Sequence, residues 1–186
     1  MIRRQVFAAV RVLVALTVLL GVLYPLAVTG LAQVAMPGRA NGSLVRSGDQ
    51  VVGSSLIGQE FFGSEWFHGR PDAFDPTASG ATHLGPSNDL LAAALQDAGD
   101  QIARFENRTG PLPADAVTGS GSGLDPHISP EYARLQAPRV AAARGLEGEE
   151  VLALVARFTE GRTLGFLGEP RVNVLLLNLA LSGLRP

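Results

Sequence analysis

The segment richest in residues that can do chemistry runs from residue 120 to residue 130, with the sequence SGSGLDPHISP. Its alternating serines and glycines allow a backbone with positive φ and exposed N–H groups, and it leads into a predicted helix N-terminus. N–H groups that converge with a helix dipole can hold an anion such as phosphate. Without a lysine or a motif-specific spacing, the pattern is equally typical of a turn followed by a helix cap, and the turn is the favoured interpretation. The candidate residues for anion or partner contact are Ser120, Gly121, Ser122, Gly123, Asp125, His127 and Ser129.

The same segment contains the residue types of a Ser-His-Asp triad. Asp125 and His127 lie two positions apart, with Ser120 and Ser122 just ahead of them. Triads assemble residues from distant parts of a fold, and two members this close on a proline-containing loop rarely reach the required geometry. No G-x-S-x-G sequence accompanies them. We therefore expect no hydrolase site and no catalytic residue.

A metal centre is not predicted either. The side chains that could surround an ion are His68, His83 and His127 with Asp75 or Asp125. They fall in separate loops without the H-x-x-x-H or H-E-x-x-H spacing of metal-binding helices. The chain has no cysteine to add a thiolate ligand. Three histidines without a pattern are more often exposed to solvent.

The charged residues exclude several functions. The chain contains no lysine, so it has neither a Walker A loop nor a Schiff-base nucleophile. Beyond residue 36 there are 12 arginines and 17 acidic residues, a net charge of −5, which argues against nucleic-acid binding. Arg70 and Arg171 lie beside glycine- and proline-containing turns, a setting typical of a buried ion pair or of an ordinary surface arginine.

The elements that position these residues begin with a long apolar run. Residues 12–36 are uncharged, and as a helix they would extend ~37 Å, enough to cross a hydrocarbon core of ~30 Å. Arg3, Arg4 and Arg11 precede the run, and no acidic residue occurs before Asp49. The positive-inside rule predicts a cytoplasmic N-terminus. We assign residues 1–11 to the cytoplasm, residues 12–34 to the transmembrane helix and residues 35–186 to an extracytoplasmic domain.

The alternative for this run is a cleaved secretory signal, but signal cores span only about 7–15 residues, so a retained anchor is favoured. Within the predicted span from Val12 to Val34, Pro25 removes a backbone donor and predicts a kink. Gly21 and Gly30 would allow neighbouring membrane helices to approach closely.

The remaining residues predict a single α+β domain. Caps and apolar spacing indicate helices from Ser87 or Asn88 to Asn107, from Ser129 to Gly145, and from Glu147 to Glu160. Residues 171–181 fit a buried strand or a short helix, and the preceding proline with alternating valines favours the strand. Large rings at positions 61, 62, 66 and 67 predict a segment that seeds the core or forms an interface, and the core is favoured. Residues 69–86 are rich in Gly, Pro, Asp and Ser and predict an irregular loop.

Three function classes fit a membrane-anchored domain without a catalytic constellation. They are an accessory subunit of a membrane complex, an anchored enzyme, and an anchored periplasmic binding or envelope-interaction module. The lack of site chemistry favours the accessory subunit. A stable stoichiometric complex after gentle detergent extraction would distinguish it from the other two.

Several longer motifs, in order, carry a resemblance to a known family. They are VGSSLIGQ at 52–59, FHGRP at 67–71, LGPSN at 84–88, the 120–130 segment, RVA at 139–141, ARG at 143–145, LGEPRVNV at 167–174 and LNLAL at 177–181. With the N-terminal span, they resemble the C subunit of the Kdp potassium-transporting P-type ATPase over nearly the whole chain.

The resemblance implies a non-catalytic subunit of a bacterial plasma-membrane complex that takes up potassium. Its implied partners are a potassium-channel-like subunit, an ATP-hydrolysing subunit and a small single-span peptide, with membrane lipid around the anchor. The family's C subunit is described as a catalytic chaperone that raises the ATP affinity of the hydrolysing subunit through a transient complex with ATP. No tightly bound cofactor is implied.

The predicted topology conflicts with direct contact to cytoplasmic ATP, because it places the domain on the other side of the membrane. We expect the domain to dock on the outer face of the channel-like subunit, with any effect on ATP affinity transmitted through the membrane helices. If ATP is contacted directly, Ser129 and residues 120–123 are the candidates for phosphate contact. The alternative partner contacts are Glu160, Arg162, Glu169 and Arg171.

Overall fold

The computed structural model describes residues 2–72 and 74–184. The chain divides into two compact units that meet, along the sequence, between Leu44 and Val45. The first unit is built on one long apolar helix, and the second is a small domain of helices and short strands.

The first unit contains a helix of 34 residues from Ile2 to Ala35, which is long and apolar enough to cross a membrane. Its parts are α1 (Ile2–Val18), a π-helical turn (Leu19–Leu23) and α2 (Tyr24–Ala35), and the one-turn helix α3 (Pro37–Ala40) follows. The helix begins ahead of Val12, where the sequence predicts the membrane span to start. Arginine is a good helix former, so the helix includes the three arginines that the hydrocarbon core would exclude.

Pro25 changes the hydrogen bonding of the long helix without ending it. A proline inside a helix has no N–H to donate to the preceding turn, and its ring crowds that turn. Here the turn before it is π-helical, and the Tyr24 N–H donates to the Leu19 carbonyl, five residues back. Local π-helical adjustments allow backbone groups freed by a proline in an apolar helix to find other partners. The helix therefore continues through Pro25 to Ala35.

The second unit is an α+β domain, which confirms the predicted fold class. Its helices are α4 (Asp89–Phe105), α5 (Ala114–Val117), α6 (Pro130–Arg144), α7 (Gly148–Arg157) and α8 (Val174–Ser182). Its strands are β1 (Leu44–Ser47), β2 (Gln50–Ser54), β3 (His127–Ile128), β4 (Thr159–Glu160) and β5 (Arg171–Asn173). β1 and β2 form one sheet, and β5 lies between β3 and β4 in an antiparallel sheet.

The core of the domain surrounds α6, which is apolar on several sides and packs on α7 and on β5. Both predicted ends of α6 are confirmed. The Ser129 Oγ accepts the N–H of Tyr132 at 3.0 Å, and Gly145 adopts the left-handed conformation with φ 67° at the C-terminal end. The helix begins and ends here because these two residues satisfy backbone groups that have no partner inside the helix.

The other two predicted helices are confirmed, but both end earlier than predicted, α4 at Phe105 rather than at Asn107. α4 begins after Asn88, whose side chain accepts the Leu90 N–H at 2.9 Å. α7 ends at Arg157 rather than at Glu160, because Thr159 and Glu160 pair with β5. A helical pattern cannot show this, since the competing strand partner lies later in the chain.

The strand predicted for residues 171–181 is mostly wrong. The strand stops at Asn173, and α8 occupies Val174–Ser182. The Asn173 side chain accepts the Leu176 N–H at 3.1 Å and thereby caps the helix. The alternation of Val172, Val174 and Leu176 is misleading, because a helix with apolar residues on all sides in the core needs no amphipathic period.

The aromatic segment seeds the core as predicted, with one exception. Phe67 is fully buried, and Phe61 and Trp66 pack against the core with their ring centroids 6.0 Å apart. Phe62 is exposed, since consecutive rings on an irregular chain cannot all point inward.

Candidate functional site

The loop that precedes α6 is built around side-chain carboxylates. The Ser120 N–H donates to the Asp72 Oδ1 at 2.6 Å. Gly119 leaves the room for this contact, because a Cβ at that position would lie 2.6 Å from the same oxygen. A second carboxylate, Asp115, accepts the N–H and the hydroxyl of Ser129, the hydroxyl at 2.9 Å. The protein's own carboxylates therefore bind the N–H groups of Ser120 and Ser129, two of the candidates for phosphate contact.

Asp125 and His127 form a local pair rather than part of a triad. The Asp125 Oδ1 accepts the His127 N–H at 3.0 Å and lies 2.9 Å from the ring Nδ1. The hydrogen bond from the His127 side chain lowers the pKa of Asp125, against the effect of burial. The Ser120 and Ser122 hydroxyls lie 3.5 Å from each other, and Ser122 accepts the Leu124 N–H at 3.1 Å. Asp125 and the two serines therefore serve loop geometry.

Arg70 ties this loop to the FHGRP segment. Its guanidinium donates to the Thr118 carbonyl at 3.0 Å and to the Gly119 carbonyl at 2.8 Å. Its Nη1 lies 4.0 Å from the Asp125 Oδ2, and both side chains are partly exposed. Arg70 is therefore neither a fully buried ion pair nor an ordinary surface arginine, because its main partners are backbone carbonyls and its carboxylate neighbour is partly exposed.

A ligand would find few donors in this loop. The N–H groups of Gly121, Ser122 and Gly123 donate to no atom of residues 2–72 and 74–184, so these three donors remain. The described residues contain no cluster of three or more His, Cys, Asp or Glu side chains that could hold a metal ion. Nucleotide contact at residues 120–123 stays a prediction.

A buried polar network lies next to this loop, and the sequence reasoning did not find it. Arg139 donates from Nε to both Glu106 oxygens at 3.0 Å, and its guanidinium lies 4.6 Å from the centre of the Phe105 ring. Burial raises the pKa of Glu106, while the charge of Arg139 opposes that shift. The only sequence signal was Arg139 inside the RVA motif, which says nothing about a partner 33 positions away.

Two buried amides complete the network by pairing with backbone. Asn178 on α8 accepts the Phe67 N–H and donates to the Phe67 carbonyl, both at 2.9 Å. Gln136 on α6 does the same with His68, at 2.7 Å and 3.0 Å. An amide satisfies a peptide group in the way that a neighbouring strand would. The FHGRP segment is thereby fixed between α6 and α8.

The remaining candidates for partner contact lie on β4, on β5 and on the connection between them. Glu169 pairs with Arg162 at 2.6 Å, and Arg171 pairs with Glu160 at 3.0 Å. All four side chains are exposed, so Arg171 is a surface arginine rather than part of a buried pair. β5 joins the two candidate groups, because Asn173 pairs with His127 across the sheet.

The glycines predicted to let membrane helices approach lie on the exposed long helix of the first unit. No atom lies within 4 Å of a Cβ built on Gly30, and only the Thr17 Cγ2 does so at Gly21, at 3.9 Å. Their use in helix packing stays a prediction.

These features define a class of protein: a domain on an apolar anchor helix, whose polar clusters stabilise the fold and form no catalytic constellation among the described residues. The family model for the K+-transporting ATPase, c chain (KdpC) matches residues 6–183. The chain belongs to the KdpC family. It is an accessory subunit of the potassium-transporting ATPase and not the catalytic one.

The sequence is similar to those of relatives from several bacteria over almost their whole length. The chain is 55% identical to a protein of Caulobacter vibrioides over 175 residues, which is 91% of this chain and 88% of the relative. It is 51% identical to one of Kineococcus radiotolerans, covering 98% and 95% of the two chains. A third, from Gloeobacter violaceus, is 50% identical with 98% and 97% covered. Each is named potassium-transporting ATPase KdpC subunit.

Proposed function

We propose that this subunit is anchored in the bacterial plasma membrane with its N-terminus inside and its α+β domain outside. The charge distribution supports this orientation, because Arg3, Arg4 and Arg11 precede the apolar run and no acidic residue occurs before Asp49. Positive residues beside a span stay on the cytoplasmic side. From there the domain docks on the outer face of the channel-like subunit, stabilises the complex and shapes the path of potassium into it.

The observation that carries this proposal is that the polar side chains of the domain bind other groups of the domain itself. Asp72 and Asp115 already bind the N–H groups of Ser120 and Ser129, and Arg139 is held by Glu106. Polar clusters that bind the domain's own segments favour a role in assembly over a role in chemistry. We further propose that the subunit raises the ATP affinity of the hydrolysing subunit as a catalytic chaperone, and that this effect reaches the cytoplasm through the membrane helices rather than by contact with ATP.

The charge of the domain fits this placement. The net charge of −5 beyond residue 36 enriches cations near the mouth of the potassium path. Screening limits that effect to about 8 Å at physiological salt. The main contribution of the domain is therefore its contact with the partner.

Truncation of the chain after Arg39 tests the proposal, because it keeps the long helix and removes the domain. We expect the truncated chain to recover less of the partner subunits after mild detergent extraction, and the cells to need more external potassium for growth. Unchanged assembly together with unchanged apparent potassium affinity would refute the docking role.

A further inference from the structure

The connection between β4 and β5 carries apolar side chains that the domain does not bury. Leu164 is 80% exposed, Phe166 is 68% exposed and Leu167 is 50% exposed. They lie together at the tip of a hairpin whose stem is the pairing of β4 with β5. Exposed single apolar residues are ordinary on protein surfaces, but three at one tip form a patch.

The backbone conformation of the tip is one that leucine rarely adopts at the position of Leu164. Thr163 and Leu167 pair with each other through two N–H to carbonyl bonds of 2.9 Å, and the Phe166 N–H donates to the Thr163 carbonyl at 3.3 Å. The two residues between Thr163 and Phe166 have positive φ, 55° at Leu164 and 83° at Gly165. This is the pattern of a type I′ turn, whose first central position favours Asn, Asp or Gly. Leucine is disfavoured there, and its exposure means that the domain gains almost no burial in return.

The stem holds this tip in place and balances its charge. The pairs Glu160–Arg171 and Arg162–Glu169 connect the two sides of the hairpin at 3.0 Å and 2.6 Å. Segment 159–171 thus has two arginines and two glutamates and no net charge. A tip fixed in one conformation loses little conformational entropy when it binds, which favours tight contact.

We propose that Leu164, Phe166 and Leu167 form an anchor that inserts into an uncharged apolar pocket on the outer face of the channel-like subunit. The inference rests on the docking role proposed above and names the part of the domain that performs it. Large apolar side chains at the centre of a contact commonly carry most of its binding energy. The four charges around them are already paired, so they would form a polar rim.

The composition of the hairpin favours a protein pocket over the lipid surface. Segment 159–171 contains no tryptophan, tyrosine or lysine, the residues that usually hold a protein at the headgroup level. Both of its arginines are paired with glutamates, and the domain as a whole is negatively charged, so anionic lipids would not attract it.

The test uses the full-length chain in its native membrane, with the variants Leu164→Asn and Phe166→Ser alone and combined. Asparagine suits the left-handed conformation, so we expect Leu164→Asn to keep or raise the melting temperature of the purified chain. At the same time, we expect the double variant to reduce recovery of partner subunits by about tenfold or more. Leu90→Gln is the matched control, because Leu90 is 68% exposed on α4, and it should leave recovery unchanged.

A double variant that assembles as well as the wild type overturns the proposal. If the truncation after Arg39 loses the partners while the tip variants keep them, the docking role stands and only the assignment of the tip fails. Leu164→Cys with a photoreactive thiol label, in a chain that has no other cysteine, identifies the neighbour. A crosslinked peptide of the channel-like subunit supports the proposal, and crosslinked lipid refutes it.

Discussion

His68 connects the aromatic segment, the buried network and the pH dependence of stability. Its ring stacks on Phe105 with centroids 5.1 Å apart, and its Nε2 lies 2.8 Å from the Gly63 carbonyl. Burial lowers the pKa of His68, the charge of Arg139 lowers it further, and the contact with Gly63 opposes the shift. A group of this type is a packed, neutral histidine rather than a ligand for metal.

This environment predicts a loss of stability on acidification. Because the pKa of His68 is lower in the folded chain, folding favours its neutral form, so its contribution is complete above about pH 6.5 and is lost as the pH falls through the folded-state value. We expect the free energy of unfolding to drop between about pH 7.5 and about pH 5, and His68→Gln to reduce that drop. Urea titrations at the two pH values measure it.

His83→Asn is the control for this experiment, because His83 is exposed and asparagine tolerates its positive φ of 56°. The control should keep the full pH dependence. An equal drop in wild type and His68→Gln would mean that other groups account for it.

At the scale of elements, irregular segments are held by side chains rather than by regular pairing. The FHGRP segment lies between α6 and α8 because Gln136 and Asn178 supply the hydrogen bonds that a strand would supply. The same principle fixes the loop before α6, where Asp72 and Asp115 bind backbone N–H groups. The elements of this small domain are thus joined by polar contacts between distant segments.

Removing the pairing between the Asn178 side chain and the Phe67 backbone should destabilise the domain. Asn178→Leu keeps the volume of the side chain but leaves the buried N–H and carbonyl of Phe67 without partners. Each buried group left unpaired costs about 1–3 kcal/mol, so we expect a loss of about 2–5 kcal/mol in the free energy of unfolding. Chemical denaturation of the full-length chain in detergent checks this.

Gln101→Leu removes an exposed side-chain hydrogen bond on α4, the 2.7 Å bond to Asp97, and should change the stability by less than about 0.5 kcal/mol. Similar losses of unfolding free energy for Asn178→Leu and Gln101→Leu would contradict a stabilising role for the pairing of Asn178 with Phe67.

At the scale of the whole molecule, function depends on which side of the membrane holds the domain. The chain has no cysteine, so a single introduced cysteine reports its position without interference. Gly121 is exposed, and a Cβ there meets no atom within 4 Å, so Gly121→Cys should not disturb the loop.

We expect a membrane-impermeant thiol reagent to label Gly121→Cys in intact spheroplasts. The matched variant Gln5→Cys, in the first turns of the long helix, should react only after the spheroplasts are broken. The reverse pattern would invert the topology and remove the basis for docking on the outer face.

The sequence by itself determined the long apolar helix, the α+β class, the start of α4 and both ends of α6. Hydropathy, caps and the proline at the first position of α6 act within a few residues, so they can be read along the chain. The family was recognisable because several motifs occur in the same order, and the family model confirms it.

Only the tertiary structure decided how the candidate residues are used. Asn178 meets Phe67 across 111 positions, and Arg139 meets Glu106 across 33. The break between β5 and α8 at Asn173 depends on strands that lie elsewhere in the chain. Contacts of this range arise when segments pack together and must satisfy each other's buried polar groups. The local spacing of residues does not identify such a distant partner.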